Sequence, residues 1–216
     1  MNIIIERFDK IKSNITSLNL TRTINIIAVS KTFTLDHIRP LIDYGHTHFG
    51  ENKVQEAISK WDDVKNEKKN IKLHMIGKLQ TNKVRDAVKF FDYIHSLDNQ
   101  KLADALAKNE NNFGKNLKYF IQVNVGNEAQ KSGIPVNELD PFYNYCVNEI
   151  NLNIIGLMII PPNNNSVIKY FKLINELNNS LALENLSMGM SADYIDAVKN
   201  GATFVRVGSS IFGRRS

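Results

Sequence analysis

Apolar side chains at Ile4, Phe8, Ile11, Ile15 and Leu18 recur in steps of three and four. That period puts them on one stripe of an opening helix over about residues 2–18. The run Ile24-Asn25-Ile26-Ile27-Ala28-Val29-Ser30-Lys31 is β-branched, ends in polar residues and reads as a buried strand. Short apolar runs return around 47–49, 71–76, 93–96, 117–125, 152–160, 183–187 and 203–207, so eight strands are expected. Between them the period becomes helical. Residues 81–91 align Val84, Val88 and Phe91, residues 135–150 align Leu139, Phe142, Tyr143, Cys146 and Ile150, and residues 166–181 align Phe171, Ile174, Leu177 and Leu181. Pro135 suits a first helical turn.

Alternation of strand and helix implies right-handed crossovers and a parallel sheet. Eight such units predict an α/β fold closed as a (β/α)8 TIM-type barrel, with the extra helix in front. A doubly wound open sheet is the alternative, but no G-x-G-x-x-G follows the first strand. Without an internal repeat or linker, one domain over 1–216 is expected, its barrel covering about 24–216.

Composition narrows the classes. Apolar residues make up 43% of the 216 and charged residues 23%, which argues against disorder. The single cysteine, Cys146, excludes an intrachain disulfide and a C-x-x-C site, and fits a reducing, cytoplasmic setting. The longest apolar run, Ile154 to Ile160, stops at Pro161-Pro162, too short for a membrane span. The first residues lack the features of a secretory signal. Lys and Arg outnumber Asp and Glu by 27 to 22, a net charge of +5, but they are scattered. The densest stretch, Lys65 to Lys69, also holds Glu67 and reads as a solvated element end. Nucleic-acid binding would rest on that charge and on the basic 80–85 segment, with no recognised module to support it.

In a barrel, chemistry belongs to the loops after the strands' C-terminal ends. The first strand runs into Lys31, the second into Gly50-Glu51-Asn52, the seventh into Met188-Gly189-Met190-Ser191 and the eighth into Gly208-Ser209-Ser210. Ser191 stands where an N-cap is expected before Tyr194, and Gly208 to Ser210 open a last short helix. Two adjacent helix starts favour a phosphate, although plain capping would use the same residues. A lysine desolvated near other cations is suited to attack a carbonyl. An aldehyde that carries a phosphate satisfies both features, and pyridoxal 5′-phosphate (PLP) is that molecule. Arg206, at the end of the eighth strand, would meet the pyridine nitrogen; the plain alternative is a salt bridge to Glu51.

These motifs resemble a known family. Ala28-Val-Ser-Lys-Thr32, Phe49-Gly-Glu-Asn52, His74-Met-Ile-Gly-Lys-Leu-Gln-Thr-Asn-Lys83, Gln122-Val-Asn-Val125, Lys131-Ser-Gly133, Gly156-Leu-Met158, Ser187-Met-Gly-Met-Ser191 and Arg206-Val-Gly-Ser-Ser-Ile-Phe-Gly213 occur in its order. They are similar to the pyridoxal phosphate homeostasis (YggS-like) proteins, from about residue 24 to the C-terminus. The resemblance implies a barrel like the N-terminal domain of alanine racemase, with PLP held as a Schiff base on Lys31. It implies that Arg206 approaches the pyridine nitrogen and that Ser191, Gly208 and Ser209 hold the phosphate. Met190 would contribute backbone, and Asn52 would lie near the cofactor. His74, Lys83 and Lys131 match motif positions without an assigned role, and Lys53 departs from the usual Tyr or Arg.

The function so implied is a non-enzymatic carrier that keeps free PLP low and passes it transiently to apo-enzymes. It is expected to be a cytoplasmic monomer without membrane or nucleic-acid partners. The alternative is an amino-acid racemase, which needs an acid–base group on each face of the substrate adduct. Alanine racemases take one of these from an added β-rich domain, whereas this sequence stops just after its eighth expected strand. No catalytic residue is therefore assigned. No metal is expected either: His46 and His48 share a strand face in this reading but lack a third ligand. His37 and His95 read as ordinary helix or strand-end residues, Cys146 as packed, and Trp61 as an anchor of the second helix.

Overall fold

The computed structural model describes residues 2–126, 132–162 and 167–213. Helix α1 (Ile3–Thr16) buries Ile4, Phe8, Ile11 and Ile15, the stripe expected from the spacing. Asn2 caps it by accepting from the Ile4 N–H at 2.9 Å. Eight strands close the barrel: β1 (Asn25–Val29), β2 (His48–Glu51), β3 (Lys72–Met75), β4 (Tyr93–Leu97), β5 (Lys118–Asn124), β7 (Ile154–Met158), β8 (Asn185–Ser187) and β9 (Phe204–Val207). All pairings are parallel, in the order β4-β3-β2-β1-β9-β8-β7-β5, and the β4–β5 pairing closes the ring. Closure excludes the doubly wound alternative. It also sets Ile27 of β1 opposite Arg206 of β9, so the first and last strands share one stretch of the mouth.

Helices α2 (Leu35–Asp43), α3 (Val54–Glu67), α4 (Val84–Phe90), α5 (Gln100–Phe113), α6 (Leu139–Asn144), α7 (Val167–Ser180), α8 (Tyr194–Lys199) and α9 (Ser209–Phe212) complete the crossovers. The core forms two layers, because successive strand residues point to opposite faces. The large outer layer lies between strands and helices. Inside the barrel, Ile27, Tyr93, Phe120, Met158 and Phe204 fill the lumen.

Several elements differ from the sequence reading. The two-residue strand β6 (Ile134–Pro135) pairs with β5, so Pro135 precedes the crossover instead of sitting in its first turn. That crossover is a 3₁₀ turn at Val136–Glu138, the short α6 and a π turn at Tyr145–Glu149. Likewise α4 begins with a 3₁₀ turn, Thr81–Lys83. Strand β2 takes in Gly50 and Glu51, which the pattern had assigned to a loop. Gly50 lies where a Cβ would come within 2.8 Å of Ile27 Cγ2. Ser191 is not the N-cap of α8; Asp193 occupies that place, and its carboxylate accepts from the Met190 N–H at 2.6 Å.

Trp61 anchors α3 as expected: it is fully buried, its ring centroid lies 4.7 Å from that of Phe49, and its indole N–H donates to Glu51 Oε1 at 3.0 Å. Cys146 is buried, and burial pushes its thiol up to about 12.

Candidate ligand site at the barrel mouth

Lys31 lies two residues beyond the end of β1, in a turn whose next residue, Thr32, has φ 67°. A non-glycine residue in that left-handed region costs about 1 kcal/mol, so the turn persists only because its surroundings hold it. The Thr32 N–H donates to Glu56 Oε1 at 2.7 Å. Below the turn, Glu51 Oε1 accepts from Ser30 Oγ at 2.7 Å and from Lys60 Nζ at 3.0 Å. Glu51 is thus committed to α3 and the β1 end, not to Arg206. The salt bridge weighed as the plain explanation of Arg206 is absent.

Arg206 is 5% exposed. One terminal nitrogen donates to the Ser187 carbonyl at 3.0 Å and to Ser187 Oγ at 2.8 Å; the other donates to the Ile159 carbonyl at 2.8 Å. These partners are neutral, and among the described residues no carboxylate lies within ion-pair distance of it. Burial lowers its pKa to about 10, partly offset by the charge of Asp193.

Next to it, the loops after β8 and β9 meet. The backbone N–H groups of Gly208 and Ser210 both donate to Ser191 Oγ at 3.4 Å, long bonds that converge on one oxygen. They mark where a stronger, anionic acceptor would be met by N–H groups at the start of α9. Gly208 also leaves room: a Cβ there would sit 3.3 Å from Val29 Cβ.

These elements enclose a cavity of about 600 Å³ lined by Val29, Lys31, Phe33, Asn52, Ile76, Ile160, Met190, Ser191, Ala192, Arg206, Gly208, Ser209 and Gly213. All seven residues singled out from the sequence as cofactor-binding fall in that lining. Its apolar walls, Phe33, Ile76 and Ile160, were not foreseen; their only signal is a place just beyond a strand end. The residues fit a phosphorylated aldehyde: an amine, a buried guanidinium and converging N–H donors surround one apolar-walled volume.

The other motif residues lie apart. Lys83 lines an adjoining groove of about 620 Å³ that shares Asn52 and also holds Lys53 and Lys78. His74 is buried in the lumen below the mouth, and Lys131 lies outside the described residues. His46 and His48 do not share a face. The His46 ring packs outside β2, centroids 4.6 Å from Phe8 and 5.1 Å from Phe49, and its Nε2 is 2.8 Å from the His48 carbonyl. His48 turns inward to His74. His95 is not a strand-end residue either: β4 alternation turns it, like Tyr93, into the lumen, where it is fully buried.

The profile of the family described as alanine racemase, N-terminal domain, matches residues 7–216. The pyridoxal phosphate homeostasis protein of Aquifex aeolicus is 38% identical over 201 residues, covering 88% of this chain and 86% of that protein. That of Haemophilus influenzae is 35% identical over 204 residues, covering 90% and 86%. Among solved structures, PipY of Synechococcus elongatus PCC7942 with PLP bound superposes with a TM-score of 0.87 at 34% identity, over 97% of this chain and all of that one. Matches this extensive, in sequence and in backbone, place the chain in the alanine racemase N-terminal-domain family, with the pyridoxal phosphate homeostasis proteins among its relatives.

Proposed function

We propose that this protein binds PLP at the barrel mouth, holds it as a Schiff base on Lys31, and buffers or delivers it without efficient catalysis. The observation that carries this reading is the shared cavity of Lys31, Arg206 and the Ser191–Gly208–Ser209 cradle, supported by the PLP-bound state of PipY. When bound, PLP supplies an electrophilic aldehyde carbon and an anionic phosphate. Lys31 Nζ is the amine that would hold that carbon, its two hydrogens leaving with the aldehyde oxygen as water. The Gly208 and Ser210 N–H groups and the Ser191 and Ser209 hydroxyls hold the phosphate. Phe33, Ile76 and Ile160 would keep water from the ring, and Asn52 would lie near it.

Arg206 donates toward the ring nitrogen. A fixed cation there opposes protonation of that nitrogen and weakens the ring as an electron sink. Among the described residues the cavity lining contains no Tyr, His, Asp, Glu or Cys, side chains that commonly serve as the second base of a racemase.

We take the acting form to be a monomer. No described helix is long and apolar enough to cross a membrane. The chain's single, buried thiol suits a reducing cytoplasm, where apo-enzymes are the transient partners. The test is delivery against turnover. Protein loaded with PLP is mixed with an apo PLP-dependent enzyme, and separately with alanine in deuterated water. The reading predicts reactivation of the apo-enzyme and negligible exchange of the alanine α-proton. Rapid exchange would establish the racemase instead.

A further inference from the structure

Beneath the mouth, a line of polar side chains crosses the barrel lumen. Arg206 Nη1 donates to Ser187 Oγ at 2.8 Å, and His95 Nδ1 lies 2.9 Å from the same oxygen. His95 Nε2 is 2.9 Å from His74 Nδ1, and His74 Nε2 is 2.9 Å from His48 Nδ1. Five strands (β9, β8, β4, β3 and β2) each contribute one member. Ser187, His95 and His74 are fully buried, and aromatic rings stack on them: Phe120 lies 4.3 Å from His95 and Tyr93 4.2 Å from His74, centroid to centroid. Only His48, at the N-terminal end of β2, is part-exposed. It lines a cavity of about 270 Å³ at the barrel floor, with Asn25, His46 and Lys12.

The chemistry of the end groups gives the line a direction. Arginine only donates, so Ser187 Oγ accepts from Arg206. If His95 also donated to that oxygen, the hydroxyl proton would need another acceptor, and among the described residues none lies within bonding distance. The serine proton therefore goes to His95 Nδ1. His95 is then protonated on Nε2 and donates to His74 Nδ1, and His74 Nε2–H donates to His48 Nδ1. The His95 and His74 rings are neutral and each uses both nitrogens. Burial, the Arg206 charge on His95, and the His95 and His48 rings on His74 hold both well below the usual histidine range.

We propose that Ser187, His95, His74 and His48 are positioning residues, a one-way hydrogen-bond line that holds the Arg206 guanidinium toward the cofactor's ring nitrogen and ties it to the protonation of His48 at the barrel floor. This rests on the mouth being the cofactor site. A second proton on His48 makes its Nδ1 a donor against the His74 Nε2–H, so the line must reverse up to Ser187, whose hydroxyl then loses its acceptor. The groups facing His48 are His74 and Lys72 from β3, Asp92 before β4, Lys118 from β5, and Lys12 and His46 at the floor cavity. Burial first, then the Lys72 and Lys118 charges against that of Asp92, lowers the His48 pKa below its usual value and keeps the ring neutral near pH 7.

Histidine ¹⁵N NMR of the full unliganded chain at pH 7.5 tests the line without the cofactor. His95 and His74 are expected as neutral Nε2–H tautomers; a cationic ring or an Nδ1–H tautomer at His95 overturns the proposal. In protein loaded with PLP, Ser187→Ala is expected to weaken retention about tenfold, the equivalent of one hydrogen bond to a charged group, and to shift the pH midpoint of the visible band. Ser187→Thr restores both, and His48→Phe removes the acid-side change of the band. Should Ser187→Ala fail to fold, the His48→Phe profile and the NMR still decide. Wild-type affinity and midpoint in Ser187→Ala, or an unchanged acid-side profile in His48→Phe, overturns the proposal. Absence of any visible band from wild-type protein overturns the cofactor reading itself, which the NMR result does not touch.

Discussion

Burying a guanidinium among neutral partners costs several kcal/mol unless an acceptor or counter-charge meets it, and Arg206 is buried in that way. Its carbonyl and hydroxyl partners satisfy part of the fork and neutralise none of its charge. The remaining capacity faces a cavity that also holds Lys31, so the residue's own energetics call for an electron-rich ligand atom. Replacing Arg206 by Met is expected to weaken PLP binding about 10- to 100-fold, the range for a lost hydrogen bond to a charged group. The change is read by titrating the visible band, and an unaltered affinity and spectrum would remove Arg206 from the site.

At the scale of elements, the strands carry the precision and their glycines set the spacing. Gly156 of β7 pairs with Asn185 of β8, and a Cβ on it would come within 1.9 Å of the Asn185 carbonyl oxygen. No side-chain rearrangement relieves a clash with backbone. Gly156→Ala should therefore push β8 outward and lower stability by about 1–3 kcal/mol, in the range of overpacked cores. It should also disturb Ser187, two residues along β8, and through it Arg206. Urea unfolding measures the first effect, and a denaturation midpoint equal to wild type would show that β7 and β8 do not approach as closely as described.

What the sequence made legible follows the same division. Short apolar runs announced every barrel strand, and Lys31, Asn52, Ser191 and Arg206 could be assigned to the mouth because each lies at or just beyond a strand end. Two-residue pairing at β6 and the 3₁₀ and π turns around α4 and α6 have no comparable periodic signal. The lumen line was invisible for another reason. His95 stands beside Ser96 in a strand buried throughout and Ser187 ends a strand of three residues, and only the closed register shows that their faces converge.

Across the whole molecule, the histidines make folding depend on pH. Burial lowers His46 to about 4 from the ordinary 6.5, and His74 and His95 move the same way. Below pH 6.5 the unfolded chain takes up protons that the folded barrel refuses, so stability is full above that pH and falls as the pH drops toward 4. His46 alone accounts for about 3 kcal/mol over that window. Urea midpoints measured between pH 7.5 and 5 should fall steadily once the pH passes below 6.5; a flat profile would mean that these rings accept protons in place.

One covalent bond carries the functional account. Wild-type protein saturated with PLP, reduced with borohydride and digested for mass mapping should carry a single pyridoxyl group on the peptide containing Lys31, and Lys31→Ala should be folded, colourless and unlabelled. A label on another lysine, or a visible band that survives in Lys31→Ala, would contradict it.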